Sequence, residues 1–173
     1  MPDRLGNQAK QPENGKGRAE MAVFRGNHPA KVDPKGRLKM PAAFKLLVDA
    51  QYVVQFYITS TDGVSAQIWP LPAWESQESL LADSSTMEPA VDKYLNLTSY
   101  YGQQVEMDKE GRILLPQLLR EKAKLNADVA VLGKLHYIEV HNLGVLDESL
   151  QANALTAEDR QSLAAILKRH SGQ

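Results

Sequence analysis

Short apolar runs broken by turn residues, rather than long helical stripes, dominate the chain from Phe24 onward. In "AKVDPKGRLKMP", Val32, Leu38 and Met40 alternate with polar residues, the period-two pattern of half-buried strands. Between the two arms, Asp33 suits the first position of a type I turn, Pro34 the second and Gly36 the fourth, where a missing Cβ permits a left-handed backbone. The segment therefore predicts a β-hairpin. Pro41 suits a first helical turn, and "PAAFKLL" predicts a short helix. "QYVVQFYIT" and "VSAQIWPL" follow as two β-rich runs separated by "STDG", a second hairpin. "PAWESQESLLAD" then resumes a helical period opened by Pro72, and Asp83, Ser84 and Ser85 read as helix-end chemistry.

This order returns in the second half. A helix over 88–98 carries Val91, Tyr94 and Leu95 on one face, and is followed by "SYYGQQVEM", the turn "DKEG", "RILL" and a helix beginning near Pro116. "DVAVLGKLHYIEVH" supplies two strands around Gly133. Asp33, Gly36, Arg37 and Pro41 match Asp108, Gly111, Arg112 and Pro116 at a constant separation of 75 residues. Val32, Leu38, Met40 and Lys45 face the similar Met107, Ile113, Leu115 and Arg120. The halves are expected to share one core, each pairing strand edges that the other leaves open. Residues 154–170 predict a last amphipathic helix: Thr156 caps it, Glu158 and Asp159 suit its start, and 168–170 carry the positive charge favoured at its end. Its stripe of Leu163, Ile166 and Leu167 is expected to pack on the protomer, the alternative being an intersubunit contact.

Composition narrows the class. A 43% hydrophobic content over 173 residues is enough for a core. The absence of cysteine rules out disulfides and thiolate metal sites and suits a reducing compartment. No apolar run approaches the roughly 20 residues that span a bilayer, and the N-terminus lacks the apolar core of a secretory signal, so the cytoplasm is the default and no membrane partner is expected. Residues 1–20, rich in Gly, Gln, Asn and charge, are expected to be disordered, and Met21 stands where an alternative start would fall. His136 and His141 are five apart, on opposite faces of a strand, with no carboxylate cluster at metal spacing. No phosphate loop, Gly-x-Ser-x-Gly elbow or dinucleotide fingerprint is present, so the reading is a non-enzyme without cofactor or metal.

Net charge is only −1, but it is unevenly spread: residues 1–45 hold ten of the 20 Lys and Arg against four of the 21 acids. A local positive field of this kind can meet a polyanion even on a neutral protein. Turn chemistry accounts for Asp33, Gly36, Asp108 and Gly111, but it does not call for an arginine. Arg37 and Lys39, two apart on a strand, point to one face while Leu38 and Met40 point to the other. Lys31 and Asp33 share a face on the preceding strand, and Lys35 projects from the tip. The expectation is a protruding hairpin, apolar beneath and basic outside, with Arg37, Lys35, Lys39, Lys31 and Arg25 as DNA-contact candidates. The competing role for Arg37 is an ion pair with Asp33 across the turn, and the two roles are compatible if the aspartate orients the arginine. The second hairpin sets Glu106, Asp108, Lys109 and Glu110 around Arg112, a surface that phosphate should avoid. The first repeat is therefore expected to read DNA, and the second to complete the barrel or contact neighbouring subunits.

Three stretches carry a family resemblance: "FRGNHPAKVDPKGRLKMPAAFK", "IWPLPAWE", and the paired "DPKGR" and "DKEGR". From about Phe24 to Leu150 the chain resembles the MraZ family of bacterial transcriptional regulators, built from two SpoVT/AbrB-like units. The resemblance implies an α+β protomer in which two hairpin–helix repeats form a double-split β-barrel-like unit, with helices between and after them. It divides the chain into a flexible extension (1–22), repeat 1 (27–72), a helical connector (73–100), repeat 2 (101–144) and a helical tail (145–173). It also implies a ring-shaped homo-oligomer, nucleoid association, and binding to direct repeats in double-stranded DNA upstream of its own division and cell-wall operon. Its signature residues fall on Asp33 and Arg37, then Asp108 and Arg112. The other class of reading is a ring-forming protein-interaction module without specific DNA binding. Two departures stand out: the 20-residue leader, and His141 where the family often has tryptophan.

Overall fold

The computed structural model describes residues 22–84 and 88–172. Ser85 and the leader through Met21 lie outside them. Ala22, the first described residue, is buried, and its N–H donates to Gln51 Oε1 (3.3 Å). The elements run β1 Asn27–Val32, β2 Arg37–Lys39, α1 Ala42–Ala50, β3 Gln55–Thr59, β4 Ser65–Pro70, α2 Leu71–Asp83, α3 Pro89–Tyr100, β5 Gln103–Glu106, β6 Arg112–Leu114, α4 Gln117–Lys122, β7 Ala127–Gly133, β8 Ile138–Asn142, α5 Leu143–Ala152 and α6 Ala157–Ser171. Two strands, a helix, two more strands and a helix thus occur twice, in an α+β fold.

Local chemistry forms each signature turn. Gly36 donates its N–H to the Asp33 carbonyl (2.9 Å) at φ +84°, and Gly111 does the same to Asp108 (3.0 Å) at φ +77°. These are left-handed positions at which a β-carbon is costly. Pro41 and Pro116 stand just before their helices, in extended backbone, rather than inside the first turn. The Pro41 carbonyl already accepts from Phe44 and Lys45 (both 2.9 Å), so the fixed ring angle launches the helix from outside it. The β3 strand is also shorter than its apolar run suggests. Tyr52 turns left-handed (φ +55°) and the Val53 N–H returns to the Val48 carbonyl (2.9 Å), so the run begins as a helix C-cap.

All eight strands form one antiparallel sheet in the order β5-β3-β4-β8-β7-β1-β2-β6. The order reveals an exchange between repeats. The first strand of each repeat pairs with the third strand of the other, β1 with β7 and β5 with β3. The second strands pair with each other, β2 with β6, and so do the fourth, β4 with β8. Leu38 lies opposite Ile113, its own counterpart 75 residues on, so a pseudo-twofold axis passes through that pair. The two end strands, β5 and β6, flank one turn, where the Asp108 N–H meets the Arg112 carbonyl (2.9 Å), and the sheet nearly closes into a barrel.

Phe24, Leu38, Phe44, Phe56, Ile113 and Leu119 are among the fully buried side chains of a core drawn from both repeats. A second cluster lies outside the sheet, where Trp69 and Trp74 stack on Tyr137 and Tyr57 (centroids 4.3 and 4.5 Å) and Tyr94 of α3 covers them. This is why every residue of β4 is buried on both faces. The C-terminal helix departs from expectation. Thr156 and Asp159 form a reciprocal capping box, but Leu163, Ile166 and Leu167 are 47%, 46% and 61% exposed. The stripe does not pack on the protomer: every described residue of α6 is exposed. No helix among the described residues is long and apolar enough to cross a membrane.

Candidate nucleic-acid interface

The first hairpin is not a free projection. Its β1 arm is paired along its whole length with β7 and its β2 arm with β6, so it is one tile of the barrel wall. The expected alternation holds on that wall: Val32, Leu38 and Met40 are buried, Lys31, Lys35 and Lys39 are exposed, and the Arg37 side chain keeps 28% of its surface. Asp33 organises the turn. One carboxylate oxygen accepts from the Lys35 and Arg37 backbone N–H groups (3.0 and 2.9 Å), and the other accepts from Arg37 Nε (2.7 Å). The Arg37 backbone N–H, followed by its guanidinium and the Lys35 N–H, outweighs desolvation and holds the Asp33 carboxyl below its ordinary value.

The second hairpin copies this geometry with one difference. Asp108 accepts from the Glu110 and Arg112 N–H groups and from Arg112 Nε (all 2.9 Å), and its carboxyl is likewise lowered, the Arg112 backbone N–H foremost. Glu110, however, takes Arg112 Nη2. Arg112 is therefore neutralised twice, and its proton is held more tightly than usual, chiefly through the hydrogen bond to Asp108. Arg37 is bound through Nε alone; among the described residues no partner engages its terminal nitrogens.

Register sets the charges in rows across the wall. Lys39 lies opposite Arg112, and Arg37 opposite Leu114, which is 52% exposed. Val32 pairs with Leu38, so the same register carries Lys31 across from Lys39, while Lys31 Nζ also approaches Asp128 of β7 (3.7 Å). Lys31, Lys35, Arg37 and Lys39 are thus brought together. Arg25 is not: it precedes β1 at the end away from the turn, with the six-residue strand, roughly 20 Å long, between it and Asp33. Beside the turn, an open groove of about 520 Å³ runs between Lys31, Asp33, Pro34 and Arg120. The repeat identifies Arg120 only as the counterpart of Lys45, with no sign that it lies beside the first turn, and Leu114 occupies the place of Lys39 in the second repeat.

The two central histidines are separated. His136 is exposed in the turn joining β7 to β8, whereas His141 Nε2 lies 2.8 Å from Glu139 Oε2 on β8. Burial alone would raise the Glu139 carboxyl, but the hydrogen bond from His141 and the charges of Lys134 and His141 outweigh it and lower the pKa. No group of three or more His, Asp or Glu among the described residues could hold a metal ion.

Comparison with known proteins agrees with this architecture. The family profile described as "MraZ protein, putative antitoxin-like" matches residues 102–161. A protein named transcriptional regulator MraZ from Acidobacterium capsulatum is 53% identical over 142 residues, covering 82% of this chain and 97% of the relative. Its namesakes from Koribacter versatilis and Pseudoalteromonas atlantica are 44% and 32% identical, covering 83% and 79% of this chain and 99% and 91% of the relatives. With near-complete relatives at this identity, and with the paired Asp-x-x-x-Arg turns in equivalent places about a pseudo-twofold axis, the chain belongs to the MraZ family.

Proposed function

We propose that this protein is a sequence-specific DNA-binding transcriptional regulator whose first hairpin reads the double helix and whose second hairpin is chiefly architectural. The relatives' name supports regulation of transcription. The observation that carries the division of labour is the unequal pairing of two equivalent arginines, Arg37 through Nε alone and Arg112 through both ends by Asp108 and Glu110. A guanidinium fixed at Nε and open at its tip is pre-aimed for bidentate donation to guanine or phosphate, with Lys31, Lys35 and Lys39 adding point charge around it.

One such wall neutralises few phosphates and binds weakly. A ring-shaped homo-oligomer that presents several copies to direct repeats upstream of its own division and cell-wall operon gains from effective concentration. That reading places the protein in the cytoplasm, on the nucleoid. The second reading, a ring that binds proteins rather than DNA, draws on the exposed Leu114 and on the α6 stripe.

Titration of upstream DNA against scrambled DNA at fixed salt tests both. Arg37→Ala should weaken specific binding by about 5- to 150-fold, the worth of one good bidentate contact. Arg112→Ala should weaken it much less. Equal and complete loss in both variants refutes the division of labour, and equal affinity for the two DNAs favours the protein-binding ring. A single repeat that binds as tightly as three removes the multivalent element.

A further inference from the structure

Arg120 belongs to the second repeat but acts on the first. It lies in α4, its Nε donating to the Leu115 carbonyl (3.0 Å). Leu115 in turn donates its N–H to the carbonyl of Gly36 (3.0 Å), the left-handed residue of the first turn. The guanidinium then lies flat against Gly36 itself: a β-carbon there would overlap Cζ, Nη1 and Nε. Gly36, Leu115 and Arg120 thus form a closed circuit of two hydrogen bonds and one contact face, crossing from one repeat to the other.

The equivalent contact on the far side of the pseudo-twofold is looser. Lys45 of α1 approaches Gly111 with aliphatic carbons, at 3.0 and 3.1 Å from a β-carbon placed there, and its ammonium pairs with Asp49. A planar group covers the turn whose arginine is open, and a flexible point charge covers the turn whose arginine is neutralised.

We propose that Arg120 is a positioning residue for DNA reading: by clamping Gly36 it fixes the orientation of Arg37, the next residue, so that the second repeat governs how the first reads sequence. The inference rests on the DNA-binding reading above. It differs from a phosphate contact, which Arg120 could also make from the groove beside Lys31, and the two separate cleanly.

The test compares wild type, Arg120→Lys and Arg120→Ala for affinity to upstream and scrambled DNA across a salt series, with hydrogen exchange at the Gly36 and Arg37 amides. Positioning predicts that Arg120→Ala lowers the ratio of specific to scrambled affinity by about tenfold, with an unchanged salt slope, and that lysine does not restore it. Exchange at Gly36 and Arg37 should accelerate in both variants. A salt slope reduced by about one charge in Arg120→Ala, restored by lysine, would make Arg120 a phosphate contact and overturn the proposal. An unchanged affinity ratio would overturn it too, whether or not thermal stability falls. If wild type itself fails to discriminate between the DNAs, the functional reading fails first, and this inference with it.

Discussion

Replacing Ile113 with alanine removes a side chain that has 0% exposure and faces Leu38 on the pseudo-twofold axis. Truncating a fully buried isoleucine costs about 2–5 kcal/mol, from lost transfer energy and the cavity left behind. The site has little room to collapse, because β6 is held in register against β2, where Leu38 opposite is itself fully buried. A loss of about 3 kcal/mol, with a urea slope of about 2 kcal/mol per molar, moves the unfolding midpoint down by about 1.5 M. The useful reporter is in the other repeat: the chain's two tryptophans, Trp69 and Trp74, lie on β4 and α2. If the exchanged strands make the barrel one cooperative unit, tryptophan fluorescence and far-UV circular dichroism shift together by the full amount. Leu38→Ala should do the same, and the double variant should lose less than the sum, since both side chains line one cavity. A tryptophan midpoint that stays in place while circular dichroism resolves two transitions would refute the shared barrel.

Other consequences are equally accessible. Gly133→Ala should lower Tm by several degrees, because a β-carbon would press on the backbone of Phe24 and Arg25, with the Arg25 Cα at 2.6 Å, and displace the buried Phe24. Asp33 and Asp108 have folded-state pKa values below the ordinary 3.8, so their contribution is complete above that value and is lost as pH falls through the lowered pKa. Acid titration monitored by circular dichroism should therefore show destabilisation setting in below about pH 4, less steep in an Asp33→Asn, Asp108→Asn double variant. Leu163→Glu with Ile166→Glu should leave monomer stability within about 0.5 kcal/mol, since both side chains are nearly half exposed. A large fall in Tm would mean that α6 packs on the sheet after all.

Much of the barrel's wall was legible because its signals are local. Asp33, Pro34 and Gly36 specify a turn within four residues, and the alternation of Lys31 to Met40 assigns sides before any fold is known. The repeat was readable only as far as the helices. The α1 helix has nine residues and α4 six, so the left-handed residues that end them, Tyr52 and Lys124, are 72 apart rather than 75. A fixed offset loses the match from there on. The exchange of β1 and β5 between repeats left no trace in periodicity, since an alternating strand looks the same whichever neighbour it joins. That also hid the true setting of the basic hairpin: Asp128, Arg112 and Leu114 reach its flanks through pairings far apart in sequence. The charge of Arg25 carries no information about its distance from the turn, which only the length of β1 sets. The α6 stripe has the period of an amphipathic helix, but a period says only that one face is apolar and not which surface, if any, covers it.

Strand exchange also bears on how such a chain is made and on how it arose. As the N-terminal half leaves the ribosome, β1 has only β2 beside it and β3 only β4, so each strand of both hairpins keeps one edge open until β5 to β8 have been synthesised. A gene fragment ending near Tyr100 would meet the same need by borrowing strands from a second copy of itself, with Leu38 packing on Leu38 across a true twofold. The single polypeptide is thereby interpretable as a tethered pair, and a tethered pair, unlike two identical copies, can carry a basic turn on one member and an acidic turn on the other.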